Sequence, residues 1–297
     1  HVDNAPIAKL VPYVNSVKEE EIDALVAEYE KLYDFAADAA KGGANHAHVR
    51  AAAAQEIGLR RFLEEKGAKA FTSSFDELEG MDQLMGFASQ RLMQDGYGFG
   101  AEGDWKTAAL VRSMWVMGAG LEGGCSFLED YTLNFEGENS SILQAHMLEI
   151  NPSIAKKKPQ LQVHFLGIGD AGTCARLVFQ AHEGQGVACT IVDMGNRFRM
   201  IVNVVDVIET KDLPKLPVAC ALWIPQPNFE VGAGAWIQAG GTHHSSFSFA
   251  LTKEHMEDFA EIADMEMLLI DKDTTMRNFK QDLRNNEVYY MLNRALR

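Results

Sequence analysis

The chain has 297 residues, 47% of them hydrophobic and 23% charged, enough for two separate cores. Its net charge of −15, with no basic tract beyond Lys156-Lys157-Lys158, offers nucleic acid or an acidic membrane surface nothing to grip. No apolar run approaches the roughly 18 residues needed to span a bilayer, and no signal-peptide pattern opens the chain.

The first third reads as alternating helix and short strand. Residues 17–35 carry Ile22, Leu25, Val26, Tyr29 and Leu32 at helical spacing behind an acidic first turn. Residues 48–68 predict a second helix stopped by Gly67, and residues 68–75 a short strand that ends in small polar residues. A helix over 86–96 stops at Gly96. A glycine-rich loop then leads to Asp104, the expected N-cap of an amphipathic helix. This alternation predicts an α/β fold over residues 1–124, with a Rossmann-like parallel sheet and functional side chains at strand ends.

Past Gly123-Gly124 the texture changes. Residues 127–135, 141–150, 161–168, 175–182, 186–194 and 197–210 are short apolar or alternating runs, separated by Gly, Asn, Pro and charged turns. They predict a mainly antiparallel, β-barrel-like domain over 125–297, with terminal helices and one strand from residue 253 onward.

Four cysteines lie far apart without a CxxC pair, and Cys189 and Cys220 sit inside apolar runs. Buried free thiols in a reducing compartment are expected, and with no export signal a cytoplasmic location. Gly167, Gly169 and Gly172 form a G-x-G-x-x-G. A dinucleotide site would need a helix opening there, whereas the following residues are short and β-like. A glycine-rich turn is the better reading, and no organic cofactor is expected.

Two acids and two histidines stand in unusual settings. Glu102 is flanked by glycines just before a helix, and Glu129 is the acid in an otherwise apolar and aromatic strand. His146 is expected mid-strand among apolar neighbours, and His244 follows a pair of glycines. Two carboxylates and two neutral imidazoles suit Mn²⁺, Co²⁺ or Zn²⁺ better than Ca²⁺. Each residue also has a plain structural reading: a hydrogen-bonded core histidine, a buried ion pair, an acid near a helix start. Spacing alone cannot bring the four together. His243 and His244 are adjacent, so on an extended strand at most one faces a given pocket.

The stretches "GYGFGAEGDWKTAALVR", "GGCSFLEDYT", "HMLEINPSIA", "LPKLPVACALW", "AWIQAGGTHHSSFS" and "RNNEVYYML" resemble bacterial L-arabinose isomerases in the same order and at nearly the same spacing. The resemblance implies a divalent metal, usually Mn²⁺ with Co²⁺ as a substitute, held by Glu102, Glu129, His146 and His244. His243 would then point away. It implies aldose–ketose isomerisation of L-arabinose to L-ribulose through a cis-enediol, with Glu102 and Glu129 as the acid/base pair and Phe75 lining the sugar pocket. It also implies a homo-oligomer, a hexamer in the full-length family.

The resemblance covers the family's central and C-terminal domains and not its N-terminal domain. Together with an opening residue other than Met, that is expected of a piece of a longer enzyme. The alternative is a catalytically incomplete metal- and sugar-binding remnant, or a subunit needing a separate N-terminal partner. Two departures lie near the site: Met85 stands where the family usually has Pro, and the loop after Gly167 is less acidic.

Overall fold

The computed structural model describes all residues except 76, 77, 79, 168–171, 296 and 297, together with the backbone alone of 293–295. Its first part contains α1 (Val11–Asn15), α2 (Glu19–Leu32), β1 (Asp34–Phe35), α3 (His46–Lys66), β2 (Ala70–Ser73), α4 (Gly86–Gln94), β3 (Gly98–Ala101) and α5 (Trp105–Met117). Local chemistry sets several of these boundaries. Gly67 ends α3 in the left-handed conformation at φ 64°, which costs glycine nothing. The Asp104 side chain accepts a hydrogen bond from the Thr107 amide and caps α5.

Strands dominate the remainder: β4 (Cys125–Asn134), β5 (Ser141–Ala145), β6 (Gln160–Leu166), β7 (Gly172–Val178), β8 (Gly184–Asp193), β9 (Phe198–Ile208) and β10 (Cys220–Pro225). They are followed by α6 (Phe229–Ala239), β11 (His244–Ser248), α7 (Lys253–Ile262), β12 (Glu266–Ile270) and α8 (Met276–Ala295). The protein is a mixed α/β fold with parallel and antiparallel sheets. No helix among the described residues is long and apolar enough to cross a membrane. All four cysteines are buried.

The parallel pairing of the first part is narrower than its alternating texture suggested. β2 and β3 form a two-stranded parallel sheet, with Ser73 beside Ala101 at its end. β1 leaves them and pairs in parallel with β6, which in turn pairs antiparallel with β7. Gly172 opens strand β7, so a strand stands where a dinucleotide fingerprint needs a helix; Gly169 lies outside the described residues.

The main sheet has the order β10-β5-β4-β11-β8-β9-β12. β8 covers one edge of β9. The other edge is shared, by β12 along Arg199–Asn203 and by β10 along Val205–Ile208. The first strand of the sheet thus also meets its sixth.

Alternation along β11 separates two environments. Phe247 points inward, its ring centroid 5.3 Å from that of Trp223, and Ser245 shares that face. His244 and Ser246 face α5, where the Ser246 hydroxyl donates to the Thr107 carbonyl at 3.3 Å. Trp223, Phe247, Leu128 and Val205 belong to the largest core cluster, which also takes in Tyr29 of α2 and Phe87 of α4.

The helix α6 has no apolar periodicity strong enough to read from sequence, because Gly232 and Gly234 interrupt it. Tertiary contact overrides propensity here. Asn228 caps its start by accepting from the Val231 amide, and Gly240 ends it at φ 88°. A Cβ on Gly232 would lie 2.6 Å from the Gln226 carbonyl oxygen, so that glycine allows the helix to pack closely on its own lead-in.

Candidate metal centre

β3 delivers Glu102 to the end of the two-stranded parallel sheet. Its amide donates to the Ser73 carbonyl at 2.8 Å, and the Gly103 amide donates to Thr72 Oγ1 at 2.8 Å. Glu102 adopts φ 62°, and among the described residues only Asp264 shares a positive φ without being glycine. A left-handed glutamate is an unfavourable backbone state of the kind that clusters at functional sites. Its side chain is exposed and lines a cavity of about 390 Å³ with Thr72, Ser73, Ser74 and Met85. Phe75, a residue further on, is half-buried against the apolar cluster that contains Met85 and Leu148.

Glu129 sits on β4 between two neighbouring strands. Its register partner on β11 is His244, and its partner on β5 is Ala145, the residue before His146. His146 is therefore not mid-strand as expected: β5 ends at Ala145. Glu149 explains the early end. Its Oε2 accepts from the Leu148 amide at 3.2 Å and from His146 Nδ1 at 2.6 Å, folding the segment back on itself.

The two imidazoles share an aromatic wall. The ring centroids of His146 and His244 are 5.8 Å apart, and Phe127 meets them edge-on at 5.0 and 5.1 Å. Both are about 5% exposed. His244 Nδ1 lies 3.4 Å from Asp104 Oδ2, while its Nε2 is buried with no hydrogen-bond partner among the described residues. Each ring is thus tethered to a carboxylate through Nδ1. Nε2 is left as the nitrogen available to an ion, the arrangement by which carboxylates orient histidines toward metals.

Charge follows the same pattern. Burial disfavours protonated His146, but Glu149, and then Glu129 and Glu102, draw its pKa above the usual histidine value. Glu102 is thus close enough to act on the imidazole electrostatically. Burial would raise the Asp104 carboxyl, yet contact with His244 and hydrogen bonds from Thr107 more than offset it, lowering the pKa to about 2.

His243 is not cleanly separated from its neighbour. β11 begins at His244, so strict strand alternation does not govern His243. The two rings lie 4.2 Å apart, and Glu129, His243 and His244 place potential metal-binding atoms within 4.8 Å of one another. The His243 carbonyl accepts from the Asp130 amide at 2.8 Å, and its side chain is exposed where the chain enters the central strand β11.

The structure thus brings Glu129, His146 and His244 together and sets Glu102 within electrostatic reach. Phe75 lies among apolar neighbours nearby. The donor set fits a divalent ion, and the unpartnered His244 Nε2 is the specific vacancy in its hydrogen bonding that such an ion would satisfy. Three supporting residues escaped the sequence reading in these roles. Asp104 was legible as a cap but not as the partner of His244. Glu149 had a faint signal in its spacing, three residues after His146. Phe127 had none.

Such a site, at the end of a parallel strand pair and the ladder of an antiparallel sheet, defines a class: a candidate metal centre in a mixed α/β fold. Comparison with known proteins narrows the class. Residues 1–120 match the L-arabinose isomerase central domain and residues 124–266 the L-arabinose isomerase C-terminal domain. All of the chain aligns at 60% identity with an L-arabinose isomerase of Phocaeicola vulgatus and at 61% with one of Bacteroides thetaiotaomicron, covering 60% of each. Over 98% of its length it is 54% identical to an L-arabinose isomerase of Herpetosiphon aurantiacus, covering 58% of that protein. The chain belongs to the L-arabinose isomerase family, and it spans about three fifths of the length of these relatives.

Proposed function

We propose that the protein is a metal-dependent aldose–ketose isomerase that converts L-arabinose to L-ribulose through a cis-enediol. The observation that carries the reading is the buried, unpartnered Nε2 of His244, register-paired with Glu129 and beside a carboxylate-tethered His146. Glu102, Glu129, His146 and His244 are the ligands of this reading, with Mn²⁺ as the ion and Co²⁺ as its substitute. A divalent ion there would supply Lewis-acid stabilisation of the negative charge that develops on the sugar oxygens.

The chain's own residues do the proton work. Glu102 and Glu129 serve as the acid/base pair that removes the proton from C2 and returns one to C1. The left-handed turn at Glu102 sets its side chain on a cavity of mixed polar and apolar lining, with Thr72 and Ser73 beside it, which is of the size small-molecule pockets take. Phe75 contributes an apolar wall to the sugar, and Met85 sets the width of the cavity beside Glu102. Asp104 and Glu149 hold the imidazoles in place.

The same reading takes residues 1–124 and 125–297 as two domains, the first α/β around a two-stranded parallel sheet and the second barrel-like. The β10–β9 pairing supports the latter. It takes the enzyme as a cytoplasmic homo-oligomer. The test is L-ribulose formation from L-arabinose with Mn²⁺ and then with EDTA. EDTA-sensitive turnover is expected; turnover indifferent to EDTA would refute the metal-dependent reading.

A further inference from the structure

The strands that carry the candidate metal centre have a second face. Asp130 and Ser245 follow Glu129 and His244 in the chain and line a separate cavity of about 220 Å³, bounded by β4, β5, β8, β9, β10 and α6. Its walls are mainly apolar: Ile142, Ala188, Val205, Trp223 and Trp236. Apolar cavities of about 150 Å³ hold a benzene ring, so one ring with a substituent fits here.

One fully buried polar group in this lining lacks a partner. Ser245 is about 1% exposed, and its Oγ has no hydrogen-bond partner among the described residues. The Asp130 carboxylate, by contrast, accepts from Gln144 Nε2 at 2.6 Å. No Lys or Arg lines the cavity, and its one basic side chain, His243, is exposed, so a buried anion has no fixed counter-charge. A sugar would press most of its hydroxyls against aliphatic and indole surfaces. The apolar walls and the single orphaned hydroxyl together favour a neutral molecule with an apolar body and one hydroxyl.

We propose that this cavity is a second binding site, for a small neutral alcohol or phenol whose apolar body packs against Trp223 and Trp236 and whose hydroxyl pairs with Ser245. The site uses the opposite face of β4 and β11 from the candidate metal centre and stands whether or not the isomerase reading does.

The test is calorimetric titration of the full chain with phenol and with benzene, its hydroxyl-free counterpart. Saturable binding of one phenol per chain is expected. Ser245→Ala, which removes a single oxygen, should weaken phenol about 2- to 10-fold and leave benzene unchanged. Filling the space from the sheet side (Ala188→Phe) or, more gently, from the helix side (Ala233→Leu) should abolish both. Absence of saturable phenol binding, phenol affinity unchanged in Ser245→Ala, or binding that survives both filled variants would overturn the proposal.

Discussion

Glu129 and His244 are register partners across the β4–β11 ladder. Two donors of the candidate site are thereby fixed by backbone pairing rather than by a loop, which makes the site rigid before anything binds. Glu129→Gln keeps the shape of the side chain and removes its charge. Turnover of L-arabinose should fall by about 100-fold or more, while thermal unfolding stays close to that of the parent. Retained turnover with metal bound would remove Glu129 from the acid/base pair.

Glu149 orients His146 through a 2.6 Å contact with Nδ1. Replacing it by Gln should weaken Mn²⁺ binding about 10- to 100-fold. Binding should also weaken on acidification, because His146, with its raised pKa, must lose a proton before it ligates. Calorimetry in buffers of different ionisation heat would detect the released proton.

Asp104 gives a stability signature of defined sign. Its folded pKa of about 2 lies below the ordinary value of 3.8, so its contribution is complete above pH 3.8 and disappears as pH falls toward 2. In metal-free protein Asp104→Asn should cost about 2 kcal/mol near pH 6. Urea unfolding should show the gap between parent and variant closing between pH 4 and about 2.

Gly86 links the α4 packing to the site. A Cβ there would lie 2.2 Å from the Leu148 Cβ, next to Glu149 and two residues from His146. Gly86→Ala should destabilise the protein by about 1–3 kcal/mol, and it should weaken Mn²⁺ binding as well, since Leu148 must move. A drop in stability with unchanged metal affinity would show that the His146 segment tolerates the shift.

What the sequence disclosed and what it withheld divide along physical lines. Gly67 and the Asp104 cap were legible because a helix end is decided by a few neighbouring residues. The antiparallel texture after residue 125 was legible because a period of two marks each strand separately. The β1–β6 pairing and the second pairing of β10 with β9 were not, since nothing in a two-residue strand or an apolar run names a partner far along the chain. α6 stayed hidden because Gly232, which serves close packing, and Gly234 interrupt its apolar pattern.

At the site, the four candidate ligands stood out as polar residues in apolar or glycine-rich settings, and the resemblance named them as a set. The residues that support them did not stand out. Glu149 and Asp104 matter through hydrogen bonds that exist only once the strands are assembled. The two adjacent histidines show the limit of a periodicity argument: it separates their faces in a continuous strand, yet His243 precedes β11 and its ring lies 4.2 Å from that of His244.

The most direct test is a Mn²⁺ titration followed by electron paramagnetic resonance, comparing the parent with His244→Ala and His243→Ala. One bound ion per chain, lost in His244→Ala and kept in His243→Ala, is the result this account predicts. Binding that survives His244→Ala and is lost in His243→Ala would contradict it and hand the ligand role to the exposed member of the pair.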